Sequence, residues 1–217
     1  VTLDPQLSVF ESAADRVLDL WITMIEATPS LPKGHEVARH QALLASAEPF
    51  AVCDSSPAMV SVQDDSIGVV AGGVCWTLDT DTGFISGWDH QGSALIADAL
   101  SDCFVRAPID NDICSSEVDN PSPDAWLAAW QKAGLFDLEH RCRGVEVHGN
   151  VVISQHEYTG AQGVLIRSQW THRFDADGAA RIDVVVSREV PDLPLPRVGA
   201  RLLLAQKPES VAWVGRG

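Results

Sequence analysis

The feature that most constrains this chain is its turn chemistry. From residue 74 onward, short alternating runs are separated by compact turns of glycine, aspartate and asparagine. Residues 74–78 and 84–88 flank Asp79-Thr80-Asp81-Thr82-Gly83, whose glycine can take a positive φ that a Cβ resists. Residues 145–148 and 151–154 flank Gly149-Asn150, a two-residue loop of the primed-turn kind. Further on, Val164, Ile166, Ser168, Trp170, His172 and Phe174 alternate with Leu165, Arg167, Gln169, Thr171 and Arg173. Asp175-Ala176-Asp177-Gly178 then turns the chain into 182–190. This pattern predicts a long hairpin with one apolar face and one charged face. Successive hairpins of this kind make the chain mainly β.

The amino-terminal piece is shorter. Leu18, Leu20, Ile22 and Met24 alternate with Asp19, Trp21 and Thr23, a period of two that suits a strand. Residues 36–44 fit either a helix, by their Ala, Leu and Gln content, or a strand, by their length. A turn-rich stretch near residues 47–60, with Pro49, Asp54, Ser55, Ser56 and Pro57, marks a join between two pieces. One helix stands out in the second piece: Ser122 can cap it, Pro123 suits its first turn, and Gly134 stops it. Trp126 and Trp130 lie four residues apart on it, which predicts that both anchor the helix on a sheet, with sugar stacking as the alternative.

Charge and cysteine usage narrow the function. Thirty acidic against fifteen basic side chains give a net charge of −15, and such a surface repels phosphate backbones and anionic membranes. Neither nucleic acid nor a membrane is an expected partner. The five cysteines, Cys53, Cys75, Cys103, Cys114 and Cys142, include no paired CxxC, so the pattern points to neither a disulfide framework nor a zinc site and favours a reducing, cytoplasmic location. Asp110-Asn111-Asp112 resembles the start of a calcium loop, but Cys114, Ser115 and Pro121 occupy its fifth, sixth and twelfth positions. The pairs Asp64-Asp65 and Asp79/Asp81 read as turn carboxylates. The seven histidines show no HExxH, and most read as surface or strand histidines. GxSxG, GxxxxGK[ST] and GxGxxG are all missing, and Cys114 as a nucleophile would need a base that spacing does not reveal.

Residues 104–112, Phe-Val-Arg-Ala-Pro-Ile-Asp-Asn-Asp, closely resemble the RAPxDND segment of the large bacterial β-galactosidases of the lacZ type, glycoside hydrolase family 2. Pro123-Asp124-Ala125-Trp126, Trp130 and Ala133-Gly134 resemble that family's next helix. Gly34-His35-Glu36-Val37-Ala38 with Gln41 resembles its GHEVAxxQ strand, which favours β for the ambiguous segment. Arg197-Val198-Gly199, Leu204-Ala205-Gln206 and Trp213-Val214-Gly215 keep the family's spacing to the end.

The resemblance implies an all-β chain. Residues 1–47 would be the closing strands of an immunoglobulin-like β-sandwich, 48–60 a linker, and 61–217 the first part of a galactose-mutarotase-like β-supersandwich with one short helix. Because an immunoglobulin-type sandwich needs about 100 residues, both pieces are expected to be incomplete, in a fragment or one subunit of a split enzyme. It further implies that the catalytic glutamates lie on a barrel outside this chain, so no catalytic residue is expected here. The loop carrying Asp110, Asn111, Asp112, Cys114, Ser116 and Glu117 would shape the rim of that barrel's pocket. For Asp110 and Asn111 the alternative is that they bond only their own turn, and Glu117 would approach a divalent cation. No cofactor is expected in this chain, while Mg2+, and with it Na+, is implied for the parent enzyme. Cys114 stands where the family usually has glycine, which is expected to stiffen the loop.

Three functions compete. The first is a non-catalytic carboxy-terminal β region of a β-galactosidase. Its partners would be the remaining domains or a large catalytic subunit, a galactoside reached through the parent, and a second copy through open sheet edges. The second is a free-standing carbohydrate-binding β-sandwich using Trp88, Trp126, Trp170 or Trp213 as stacking platforms. The third, a self-contained hydrolase, would need a site that the motifs do not show.

Overall fold

The computed structural model describes residues 16–45, 56–115, 117 and 119–211. The chain divides into two compact units, Val1–Asp54 and Ser55–Gly217. Most of the expected linker, and the Trp213-Val214-Gly215 match, lie outside the described residues. In the first unit, β1 (Arg16–Thr23) pairs antiparallel with β2 (Glu36–Ala45). The ambiguous 36–44 segment is therefore β. Its polar side chains find cross-strand partners that a helix would deny them: Gln41 donates to Asp19 at 2.8 Å, and the Arg39 guanidinium lies 5.0 Å from the Trp21 ring centre.

The second unit holds eleven strands among the described residues. They are β3 (Met59–Val62), β4 (Ser66–Ala71), β5 (Val74–Asp79), β6 (Ile85–His90), β7 (Ser93–Ala94), β8 (Ile96–Cys103), β9 (Glu139–His148), β10 (Val151–Gly160), β11 (Gly163–Phe174), β12 (Ala180–Arg188) and β13 (Gly199–Leu204). One sheet runs β13-β8-β6-β5-β4-β3 with β7 against β6, and the other runs β12-β11-β10-β9, with each of these pairs antiparallel. The unit starts slightly ahead of residue 61, since Ala58 is buried and donates its N–H to the Phe174 carbonyl at 3.2 Å. Ile67, Val69, Trp76, Leu78, Ile85 and Ile96 of the larger sheet share one core with Val152 and Phe174 of the smaller. This makes the unit an all-β sandwich.

A second core seats the helical insertion. α1 (Asp110–Ile113) and α2 (Trp126–Ala133) precede a 3₁₀ turn, Leu135–Asp137. Leu127, Trp130, Ala133 and Leu135 pack there with Tyr158, Leu165 and Ile166. Ser122 is not the cap: its carbonyl accepts the Ala125 N–H at 2.9 Å, closing a separate turn before α2 begins, so Pro123 also precedes the helix. Gly134 does stop it, at φ 75°, and a Cβ there would sit 2.6 Å from the Ala161 nitrogen. The tryptophan pair splits. Trp130 is 2% exposed and anchors the helix, whereas Trp126 is 49% exposed.

The inward face of the β11 hairpin is not uniformly apolar. Ile166, Trp170 and Phe174 are buried on it, and so are Ser168 and His172. Asp102 of β8 explains Ser168, because its carboxylate reaches across from the larger sheet and accepts hydrogen bonds from the Tyr158 hydroxyl (2.7 Å), the Ser168 hydroxyl and Trp170 Nε1 (3.0 Å). Nearby, His156 shares hydrogen bonds with His140 (3.0 Å) and Ser154 (2.9 Å), and Phe84 stacks on it with ring centres 4.3 Å apart. Gly83 is demanded twice over: its φ is +74°, and a Cβ would lie 2.8 Å from both Cys142 Sγ and His156 Cε1.

Six of the seven histidines lie in strands, as expected for most, and two of these strand histidines, His156 and His172, are interior. Burial, the largest cause in each, pushes His156 down to about 3 and His172 down to about 4. The unfolded chain, with histidines near ~6.5, therefore binds more protons than the folded one between about pH 4 and 6.5. Stability is full above that window and falls as pH drops through it, by about 2 kcal/mol per histidine at roughly pH 5. Urea unfolding near neutrality and in mild acid will show this loss, and His172→Gln will flatten it. An unchanged slope in the variant would contradict the assignment.

Candidate functional site

The segment that leaves β8 is organised around Arg106. Its guanidinium grips Asp112 with two hydrogen bonds, Nη1 to Oδ2 at 2.6 Å and Nη2 to Oδ1 at 3.1 Å. Nε donates to the Pro196 carbonyl at 3.0 Å and Nη1 also to the Ala107 carbonyl at 3.1 Å. The same guanidinium lies 5.8 Å from the Trp130 ring centre, and Trp130 Nε1 donates to the Pro194 carbonyl at 2.7 Å. One arginine thus ties the 106–112 turn, α2 and the 194–196 segment together. A planar fork can do this where a lysine point charge could not.

Asp112 is buried and also accepts the Ile109 N–H at 2.9 Å. The Arg106 bonds first, and then the Ile109 N–H, hold its carboxyl below the usual carboxylate range. Its carboxylate is committed to holding the turn. Asp110, Asn111, Cys114 and Glu117 are exposed on the loop, and Ser116 lies outside the described residues. The Asp110 and Asn111 carbonyls accept from the Cys114 N–H (3.0 Å) and the Cys114 thiol (3.3 Å). Ser115 Oγ, which no motif singled out, lies within hydrogen-bond reach of the Glu117 (3.0 Å) and Asn120 (2.9 Å) carbonyls, donating its one proton between them, and ties the loop's middle. Ser115 was hidden because its role is a backbone contact that spacing does not advertise.

The candidate stacking tryptophans separate by burial. Trp170 is buried and bonded to Asp102, so it offers no platform. One ring face of Trp88 is covered by Trp76 at 4.4 Å between centres, and Trp126 remains open to solvent. Trp213 lies outside the described residues. For a cation, Glu117 is an isolated exposed carboxylate, and among the described residues no group of three or more His, Cys, Asp or Glu is placed to hold a metal. Since Mg2+ demands near-octahedral oxygen coordination, the described residues do not fit a self-contained site. The four described cysteines are free thiols, and no described helix is long and apolar enough to cross a membrane.

An all-β sandwich carrying an arginine-clamped RAPxDND turn defines the class, and comparison with known proteins agrees. Residues 71–217 match the beta galactosidase small chain family. The chain is 40% identical to a beta-galactosidase of Aeromonas hydrophila over 225 residues, covering 100% of this chain and 22% of that protein. It is 35% identical to one from Klebsiella pneumoniae strain 342 over 223 residues, covering 100% of this chain and 22% of the relative. To one from Vibrio vulnificus YJ016 it is 35% identical over 207 residues, covering 90% of this chain and 20% of the relative. The chain belongs to the beta-galactosidase small chain family, and it spans about a fifth of the length of the curated relatives it matches.

Cys114 caps α1 in the left-handed region, at φ 52° and ψ 27°, a conformation that costs a Cβ-bearing residue about 1–2 kcal/mol. Cys114→Gly should therefore raise the melting temperature by roughly 2 °C, the relief being partly offset by glycine's greater unfolded entropy. Cys114→Val should lower it. Thermal unfolding of both variants provides the check, and a lower melting temperature for the glycine variant would refute the strain.

Proposed function

We propose that this chain is the non-catalytic carboxy-terminal β region of a β-galactosidase, the parent enzyme hydrolysing terminal β-D-galactosides. The observation that carries this reading is the coverage: essentially all of this chain aligns with about a fifth of each relative. In a retaining glycosidase two carboxylates flank the scissile bond, and in this reading they belong to a barrel outside this chain. The role of the present residues is positional. The Arg106–Asp112 clamp holds the 110–120 loop in shape, so that Asp110, Asn111, Cys114, Ser116 and Glu117 form part of the pocket rim. A cation in the parent would take most of its ligands from elsewhere. The first unit is the end of an immunoglobulin-like sandwich and the second the start of a β-supersandwich, joined by a linker that ends before Ala58. A reducing, cytoplasmic setting suits the free thiols.

Incubating the chain alone with a chromogenic β-galactoside should give no turnover, and adding the remaining parent polypeptide should restore it. Robust turnover by the chain alone would overturn the reading.

The sheet edges support association. β9 and β12 carry charges along their length and β3 is only four residues long, but β13 presents Leu202, Leu203 and Leu204, all exposed, beside a single Arg201. Unguarded apolar edges pair with further strands. In sedimentation velocity the chain should self-associate with rising concentration, more strongly at high salt because two −15 copies repel, and Leu203→Lys should return it to monomer. A species that stays monomeric throughout would count against an open edge.

A further inference from the structure

A cavity of about 340 Å³ opens beside β8 and β13, lined among others by Asp102, Tyr158, Arg201, Phe104 and Phe136. Its polar wall is preorganised. Asp102 accepts three hydrogen bonds, two at Oδ2 and one at Oδ1, and a carboxylate has about four acceptor positions, so one remains at Oδ1. Burial, and then the charge of Asp102, raise the Tyr158 hydroxyl well above its ordinary range, so it stays a donor to Asp102 across the working pH range. Arg201 spends one nitrogen on Asp98 at 3.3 Å and keeps its other donors, its side chain being largely exposed. Phe136 shows 39% of its surface, and Phe104 is fixed edge-on against Tyr158 with centres 4.9 Å apart.

One fixed acceptor, one guanidinium donor and an open aromatic ring around a small cavity match a ligand with neighbouring hydroxyls and an apolar C–H face. Arg201 is already paired with Asp98, so Asp102 leaves the site with a net negative charge, which disfavours an anionic ligand, while the carboxylate acceptor and the guanidinium donors suit a neutral polyol. Two other cavities lack this combination. On the outer face of the smaller sheet, Arg143 and Arg167 are both spent on Glu157, at 3.4 and 3.0 Å. The cavity beside Trp88, with Ser93, Leu95, Leu204 and Gln206, holds no charged group.

We propose that the Asp102–Arg201 cavity binds a neutral hexopyranoside, Asp102 accepting from one hydroxyl, Arg201 donating to its neighbour and Phe136 lying against the sugar's C–H face. The choice of galactose as the first probe rests on the preceding reading; the site itself does not.

Titrating the full chain with methyl β-D-galactoside, followed by saturation-transfer NMR and calorimetry, should give saturable binding with a Kd on the order of 1–10 mM. Arg201→Gln should weaken it about tenfold without changing the melting temperature, and Phe136→Leu, which keeps an apolar side chain but removes the ring, should weaken it similarly, while Trp126→Ala leaves it unchanged. Equal binding of methyl β-D-glucoside would support the site and count only against galactose as its ligand. No saturable binding of either glycoside up to about 50 mM, or binding that survives both variants, would overturn the proposal.

Discussion

A single carboxylate, Asp102, joins the two sheets of the larger unit, and much of the remaining architecture follows from its partners. It stands on β8 of the seven-stranded sheet and accepts from Tyr158 on β10 and from Ser168 and Trp170 on β11 of the four-stranded one. A carboxylate between packed sheets is tolerated only when its oxygens are satisfied, and hydrogen bonds to a charged group contribute about 1.5–3 kcal/mol each. Losing one donor leaves part of that charge bare, so the contact acts as a register pin. Sliding β8 by one residue against the other sheet would turn Asp102 outward and strand three buried donors. Asp102 stands one residue before the end of β8 and four before Arg106.

The clamp that follows is a different kind of interaction at shorter range. Arg106 gathers Asp112, two carbonyls and the Trp130 ring into one cluster, and the loop beyond it is held by backbone contacts from Cys114 and Ser115. The base of the loop is thus fixed by buried contacts, while Asp110, Asn111, Cys114 and Glu117 on it are exposed. The strained cap at Cys114 places a local cost where the loop departs.

As a member of the beta-galactosidase small chain family that spans about a fifth of its relatives, the chain carries open surfaces as well as a closed core. The two strands described in the first unit expose Trp21 and Ile22, neighbours that point to opposite faces, and a two-stranded hairpin by itself is at best marginally stable in water. β13 leaves three leucines uncovered at a sheet edge. These surfaces are what a region built to sit among other domains would present, and the −15 charge of the chain keeps copies apart only where charge, rather than leucine, meets charge.

Local chemistry made a large part of this legible in advance. The hairpins at 79–83, 149–150 and 175–178, the stop at Gly134 and the RAPxDND turn could all be read from the chain, because turn geometry and alternation depend on neighbours a few residues apart. The β state of 36–44 needed a cross-strand partner, and the start of α2 three residues after Pro123 needed its packing. Only the tertiary structure decided that Asp112 turns inward to Arg106, that His156 and His172 are interior, that Trp126 and Trp130 part company, and that Asp102 meets donors 56 to 68 residues away. The physical reason is the same in each case. Burial and hydrogen-bond satisfaction are properties of which strands face each other across a core, and nothing in the spacing of residues along one strand records what lies on the opposite sheet.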